Sequence, residues 1–283
     1  VLLPQGAAQT GESMAQAAAG AWPTPAIAPA PAAAGAGKAG AATTLDLGSG
    51  RSLVLLPDPT LPYASLFLVG PGGDTLLSPD QQGLAELAAR SLTKGAGKRS
   101  ATQIQDYLAD RAADVSASAG RDTFSLSASY PVRFEEDVLG LFAETMLAPA
   151  FAAKELANAR QEQAAAIQQR EDQPLGLAFM RLFPFLYPDI PYGYLHLGQA
   201  ADLARFDAKA VRAFWDTQRR QPWTMAACGS FDPERVTALA RKLAAADPAA
   251  AFAFPAAAMN GRGSKDLTLA KRNQTHIIVS FPA

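Results

Sequence analysis

Between residues 15 and 42 the chain is almost entirely Ala, Pro and Gly, and Lys38 is its only charge there. Pro23, Pro25, Pro29 and Pro31 rule out a continuous helix, because each lacks a backbone donor and clashes with the preceding turn. The stretch has too few large apolar side chains to offset the entropy of ordering it, so it reads as a semi-stiff tether. This confines the folded body to the residues after it. Trp22 and Ile27 are the exceptions within the tether, and they either dock on a neighbour or float.

From Thr43 the pattern changes. Leu45, Leu47, Leu53 and Leu55 alternate around Gly48-Ser49-Gly50-Arg51, the signature of a hairpin. Tyr63 to Val69 predicts a strand closed by Gly70-Pro71-Gly72-Gly73. Ser78-Pro79-Asp80 predicts a helix start, and Leu84, Leu87, Ala88 and Leu92 follow at helical spacing until Gly95. Ser100 caps a second helix carrying Ile104, Tyr107 and Leu108. Val115–Ala119 and Thr123–Ser129 form a second hairpin. Helices are predicted over about 134–147, 152–170, 175–186 and 208–219, a strand over Trp223–Cys228, and a helix from Asp232 to about Ala244. Leu267–Leu269 and His276–Phe281 read as further strands. Hairpins, then a block of helices, then strands again specify an α+β fold: a mostly antiparallel sheet with helices packed on one face.

Composition narrows the function. The 283 residues suffice for one or two hydrophobic cores. A net charge of −1 provides no basic field for nucleic acid or anionic lipid. No apolar run approaches the ~20 residues of a membrane-spanning helix. The start at Val1 lacks the basic region of a secretion signal and looks like a cut rather than a native beginning. The single cysteine, Cys228, lies in an apolar run and reads as a buried structural thiol; a bacterial periplasmic or envelope location is favoured over the cytoplasm.

Few residues invite chemistry. His196 and His276 are 80 positions apart with no other metal-like cluster. His196 reads as a surface-loop residue and His276 as part of an alternating strand. Glu135 with Glu136, and Glu162 with Glu171, read as solvated faces rather than acid–base pairs. The glycine runs at 70–73 and 260–263 lack the Lys-Ser/Thr of a phosphate loop. Phe179, Phe183, Phe185, Tyr187, Tyr192 and Tyr194 cluster in sequence, and helix-packing core is the preferred reading over the lining of a peptide groove.

The order of landmarks adds information. Val69-Gly70-Pro71-Gly72-Gly73 is followed by Gly83-Leu84-Ala85, Lys94-Gly95 and Arg99-Ser100. Then come Arg170-Glu171-Asp172-Gln173-Pro174, Pro191-Tyr192-Gly193 and Gly229-Ser230-Phe231-Asp232-Pro233-Glu234. Over residues 43–245 this series resembles the pitrilysin/insulinase family of zinc metallopeptidases. The resemblance implies an inverted zinc motif, H-x-x-E-H, on the helix after Gly-Leu-Ala. Two imidazoles one turn apart grip Zn²⁺ and the intervening Glu activates a metal-bound water. Here those positions hold Glu86, Ala89 and Arg90. The later carboxylate ligand falls on Ala166, 76 positions after Arg90 and at the family's usual separation, and a further acidic position falls on Ala159. Glu86 and Arg90 have the i, i+4 orientation that favours a helical ion pair, or else remain two solvated charges.

The resemblance therefore implies a non-catalytic half, with no metal, cofactor or catalytic residue in this chain. Zinc is expected in a partner half, on the same chain or on a partner subunit. Residues 1–13 would end a preceding domain, 14–42 form the tether, 43–250 the α+β domain, and 251–283 a linker and the first strand of a following domain. The family's substrate-holding Arg/Tyr pair lies beyond this sequence. The expected role is one wall of a peptide-enclosing chamber; the alternative is a structural or assembly protein inactive in both halves.

Overall fold

In the computed structural model, residues 40–60, 62–247, 250–256 and 278 are described. Strands β1 (Thr43–Gly48) and β2 (Arg51–Pro57) form the first hairpin, with Leu45 opposite Leu53. Its turn residues Ser49 and Gly50 both have positive φ, 56° and 72°, the handedness that matches the twist of a tight hairpin. Strand β3 (Tyr63–Pro71) leads through two 3-10 turns, Gly73–Leu76 and Pro79–Gln81, into helix α1 (Leu84–Leu92). Short strands β4 (Gly95–Ala96) and β5 (Arg99–Ser100) precede α2 (Ala101–Ala109). The second hairpin is β6 (Asp114–Ala119) and β7 (Thr123–Pro131). Helices α3 (Glu135–Leu147), α4 (Ala153–Asp172) and α5 (Pro174–Leu186) follow, then a 3-10 turn, Pro191–Gly193. The described elements close with α6 (Ala200–Leu203), α7 (Ala208–Gln218), β8 (Thr224–Gly229) and α8 (Pro233–Ala246).

The main sheet has six strands in the order β1-β2-β8-β3-β7-β6. β8 fills the slot between β2 and β3, parallel to the first and antiparallel to the second; the other pairings are antiparallel. Strand alternation separates the two faces. Leu53, Leu55, Leu66, Leu68, Leu126, Ala128, Met225 and Ala227 are buried and join the core beneath the helices. The other face is rich in small hydroxyl side chains: Ser52 pairs with Thr224 and Ser116 with Ser127, each at 3.0 Å. This is the α+β architecture expected, a mostly antiparallel sheet with helices on one face.

Two readings of the sequence need correction here. Cys228 is exposed, not buried, because it alternates with Met225 and Ala227 and so falls on the hydroxyl-rich face. Ser78 caps only the 3-10 turn Pro79–Gln81, through a capping box with Gln81. The α-helix begins later, at Leu84, after Gly83 with φ 88°. By contrast Ser100 and Gln103 form the capping box of α2 as the spacing predicts. The expected strands at 267–269 and 276–281 (Ile278 aside), His276, Trp22 and Ile27, and residues 1–13 lie outside the described residues.

Candidate functional site

Helix α1 carries the positions where the resemblance placed the metal motif. It is buried on nearly every side: Leu84, Ala85, Leu87, Ala88, Ala89, Ser91 and Leu92 are all in the core, and Glu86 and Arg90 remain as its polar stripe. Ala89, where a water-activating Glu would stand, is 3% exposed and packed against apolar neighbours. Helix α4 packs on α1. Its buried residues Ala159 and Gln163 are one turn apart, and Ala166 lies a turn further along, packed against the core.

The start of α1 is locked to the loop after α5. A side chain at Gly83 would lie 2.6 Å from the Leu197 carbonyl oxygen, and one at Gly198 would lie 2.4 Å from that of Gln82. Both glycines have positive φ, 88° and 69°, so the backbones abut where only glycine fits. Buried Gln163 donates one amide nitrogen to the carbonyls of Gly83 and Leu197, each at 2.9 Å. Gln82 accepts from the Leu195 amide at 2.7 Å. Arg121 donates to the carbonyls of Tyr192 and Tyr194 at 2.8 and 2.9 Å.

These ties carry His196 onto α1, so it is no surface-loop residue. Its Nδ1 lies 2.9 Å from Asp74 Oδ2 and its Nε2 3.5 Å from Glu86 Oε2. Glu86 Oε1 in turn accepts from Arg90 Nε at 2.7 Å. The result is a chain of four side chains, Asp74–His196–Glu86–Arg90. Burial opposes a charge on His196, but the hydrogen bonds to Asp74 and Glu86 outweigh it and raise its pKa to about 9. Burial also opposes ionisation of Glu86, yet His196 and Arg90 together hold its pKa below the ordinary value. Burial pushes Asp74 upward against the pull of His196 and Arg121. At neutral pH the shared proton sits on the imidazole, the base with two carboxylates on it.

This arrangement does not fit a zinc ion. The first ligand position holds a carboxylate already engaged by a guanidinium and an imidazole. The second holds arginine, which is cationic and has no lone pair to give. The two nitrogens of His196 point at different carboxylates rather than at one common centre. Among the described residues no three His, Cys, Asp or Glu side chains are grouped to hold a metal.

The remaining candidates also settle. Glu136, Glu162 and Glu171 are exposed, as expected of solvated faces. Glu135 is not: it is 2% exposed, accepts the Tyr130 hydroxyl at 3.4 Å and accepts the amide of Asp232, the N-cap residue of α8, at 3.1 Å. Burial raises its pKa. Its burial was invisible in sequence because the contact with Asp232 depends on how α8 returns to α3. The aromatic cluster is divided rather than collectively core: Tyr194 is buried, but Phe179 is 44% exposed and Leu177 is the buried residue of α5. Phe179, Met180 and Phe183 line a cleft of about 290 Å³ with Arg121, Arg170 and His196. Of the six aromatics only Phe179 and Phe183 reach this cleft.

Fold and site together define an α+β domain whose helix α1 carries an ion-pair network. The comparisons name the family. The model of the insulinase family, peptidase family M16, matches residues 54–186. Among solved structures, a peptidase M16 inactive domain from Pseudomonas fluorescens superposes with a TM-score of 0.69 at 23% identity, covering 77% of this chain and 54% of that one. A protease from Helicobacter pylori gives 0.65 at 20% identity over 78% and 54% of the two chains. A conserved protein from Enterococcus faecalis V583 gives 0.63 at 13% identity over 74% and 53%. The chain thus spans about half the length of the solved relatives it matches. Comparison with curated proteins returns no match.

Proposed function

We propose that this chain is the inert half of an insulinase-type zinc peptidase and forms one wall of a chamber that encloses unfolded peptides. The observation that carries this is the closed network Asp74–His196–Glu86–Arg90 on a family-type motif helix. A metal helix that had merely lost its ligands would leave a hole or an unpaired charge. Here the two motif positions that would bind zinc instead bind each other, and an incoming histidine completes the set. Ala89 and Ala166 leave no carboxylate to activate water at those positions. Any hydrolysis would then reside in a zinc-bearing partner half, and this domain would contribute enclosure and peptide contact. The envelope location expected from sequence belongs to the same proposal.

The test is elemental analysis of the purified chain after dialysis against trace zinc, together with cleavage of a flexible fluorogenic peptide. Zinc well below stoichiometry and no cleavage are expected. Stoichiometric zinc, or zinc-dependent cleavage by this chain alone, would overturn the reading.

A further inference from the structure

The cleft beside α5 differs from the network on α1 in that its charges are not answered. Arg121 uses Nη1 on two backbone carbonyls and stacks over Phe183, with its guanidinium carbon 4.2 Å from the ring centroid. No carboxylate takes the rest of its fork among the described residues. Asp74 acts on it only through space. Arg170, at the exposed end of α4, has no carboxylate partner among the described residues either. It lies close enough to Arg121 for the two like charges to oppose each other. His196 also lines the cleft, but its charge is already met by Asp74 and Glu86. No acidic residue lines the cleft. Phe179, Met180 and Phe183 supply the apolar part of the lining.

We infer that this cleft binds the C-terminal end of a peptide, the terminal carboxylate between Arg121 and Arg170 and an apolar last side chain against Phe179, Met180 and Phe183. Two guanidiniums facing one space without a counter-charge complement a carboxylate, which takes the planar fork in two hydrogen bonds. A volume of about 290 Å³ holds one or two residues, not a folded surface. The apolar surface continues past the cleft: Leu175 and Phe179, one helical turn apart on α5, are 50% and 44% exposed. That strip gives the preceding residues of a peptide somewhere to lie, which a free small carboxylate would not need. The inference goes beyond the chamber reading and fails separately from it, since zinc on this chain would overturn that reading and leave the cleft as it is.

The experiment is calorimetric titration of the full chain with Ala-Ala-Phe-Leu as the free acid, with the same peptide amidated at its C-terminus, and with hexanoate. The amide and hexanoate are each expected to bind at least about tenfold more weakly than the acid. Arg170→Gln, whose side chain holds no part of the fold, is expected to weaken the acid about fivefold or more without changing the amide. Unchanged far-ultraviolet circular dichroism and melting temperature would show that variant to be folded. Equal binding of acid and amide, no saturable binding of the acid, or an Arg170→Gln variant that binds like wild type would overturn the inference. Hexanoate binding as tightly as the peptide acid would overturn the peptide as occupant.

Discussion

The network on α1 and the cleft beside α5 share His196 but treat charge in opposite ways. On α1 each ionised group meets an opposite one within hydrogen-bonding or ion-pair range: Asp74 with His196, His196 with Glu86, Glu86 with Arg90. In the cleft, Arg121 from the β6–β7 turn and Arg170 from α4 share a lining that holds no acidic residue. Both regions are assembled by the same ties, Gln163, Gln82 and Arg121 on the 191–198 loop. A closed set of charges stabilises a fold and is indifferent to ligand. In the open set Arg121 holds the loop through its backbone bonds, whereas the Arg170 side chain holds no part of the fold. Substitutions in the two places should therefore divide between stability and binding.

The largest effect is expected at Asp74, which is fully buried. Asp74→Ala leaves His196 with one carboxylate and should cost about 3 kcal/mol in urea unfolding. That is the low end for a broken buried pair, because an imidazole can shed its proton. A loss under about 1 kcal/mol would show that the network is not closed in the way described.

The pH dependence of stability comes next. His196 is raised from 6.5 to about 9, so its contribution is complete below its unfolded pKa, erodes from about pH 6.5 upward, and is gone above about 9. Wild type should lose on the order of 2–3 kcal/mol relative to His196→Gln across that window. An imidazole titrating near 6.5 by NMR in the folded chain would contradict the network directly.

Gln163→Leu should cost about 2 kcal/mol, because the Leu197 carbonyl would lose its donor and the tie between that loop and the start of α1 would be broken. The same change should weaken peptide binding in the cleft by loosening the loop, so one variant tests the link between the two regions. Arg90→Ala should cost only about 0.3–0.5 kcal/mol, the value of a helical pair, since Glu86 keeps His196. The smallest expected effect is the sharpest separator: Arg170→Gln should leave stability unchanged within about 0.5 kcal/mol. A marked gain in stability on removing that charge would mean that the repulsion with Arg121 strains the empty cleft.

Much of the fold was legible in the chain order of its signals. Ser100 with Gln103, the Gly-rich turns and the alternating leucines are local devices. Their outcome depends on neighbours a few residues away, so the elements form where the patterns place them. The Glu86–Arg90 pair was legible for the same reason, being one helical turn apart. Errors arose where a side chain's environment depends on distant segments. Glu135 is buried by α8, 97 residues on. Cys228 follows the register of a strand inserted between two earlier ones.

His196 is the clearest case. Its Pro-Tyr-Gly loop could be read from the sequence, but its partner Asp74 stands 122 positions earlier. The one sequence signal that could have pointed to the pair is a glycine on each side of the contact, Gly83 and Gly198, and neither reveals its partner alone. By itself the sequence determined most of the elements, their order, the α+β class and the absence of histidine or glutamate side chains at positions 89, 90 and 166. Those depend on side-chain identity and on local periodicity. Only the tertiary structure decided that the vacated helix is closed by an incoming histidine while the adjoining cleft stays cationic and open. Burial and through-space charge depend on which distant segments meet.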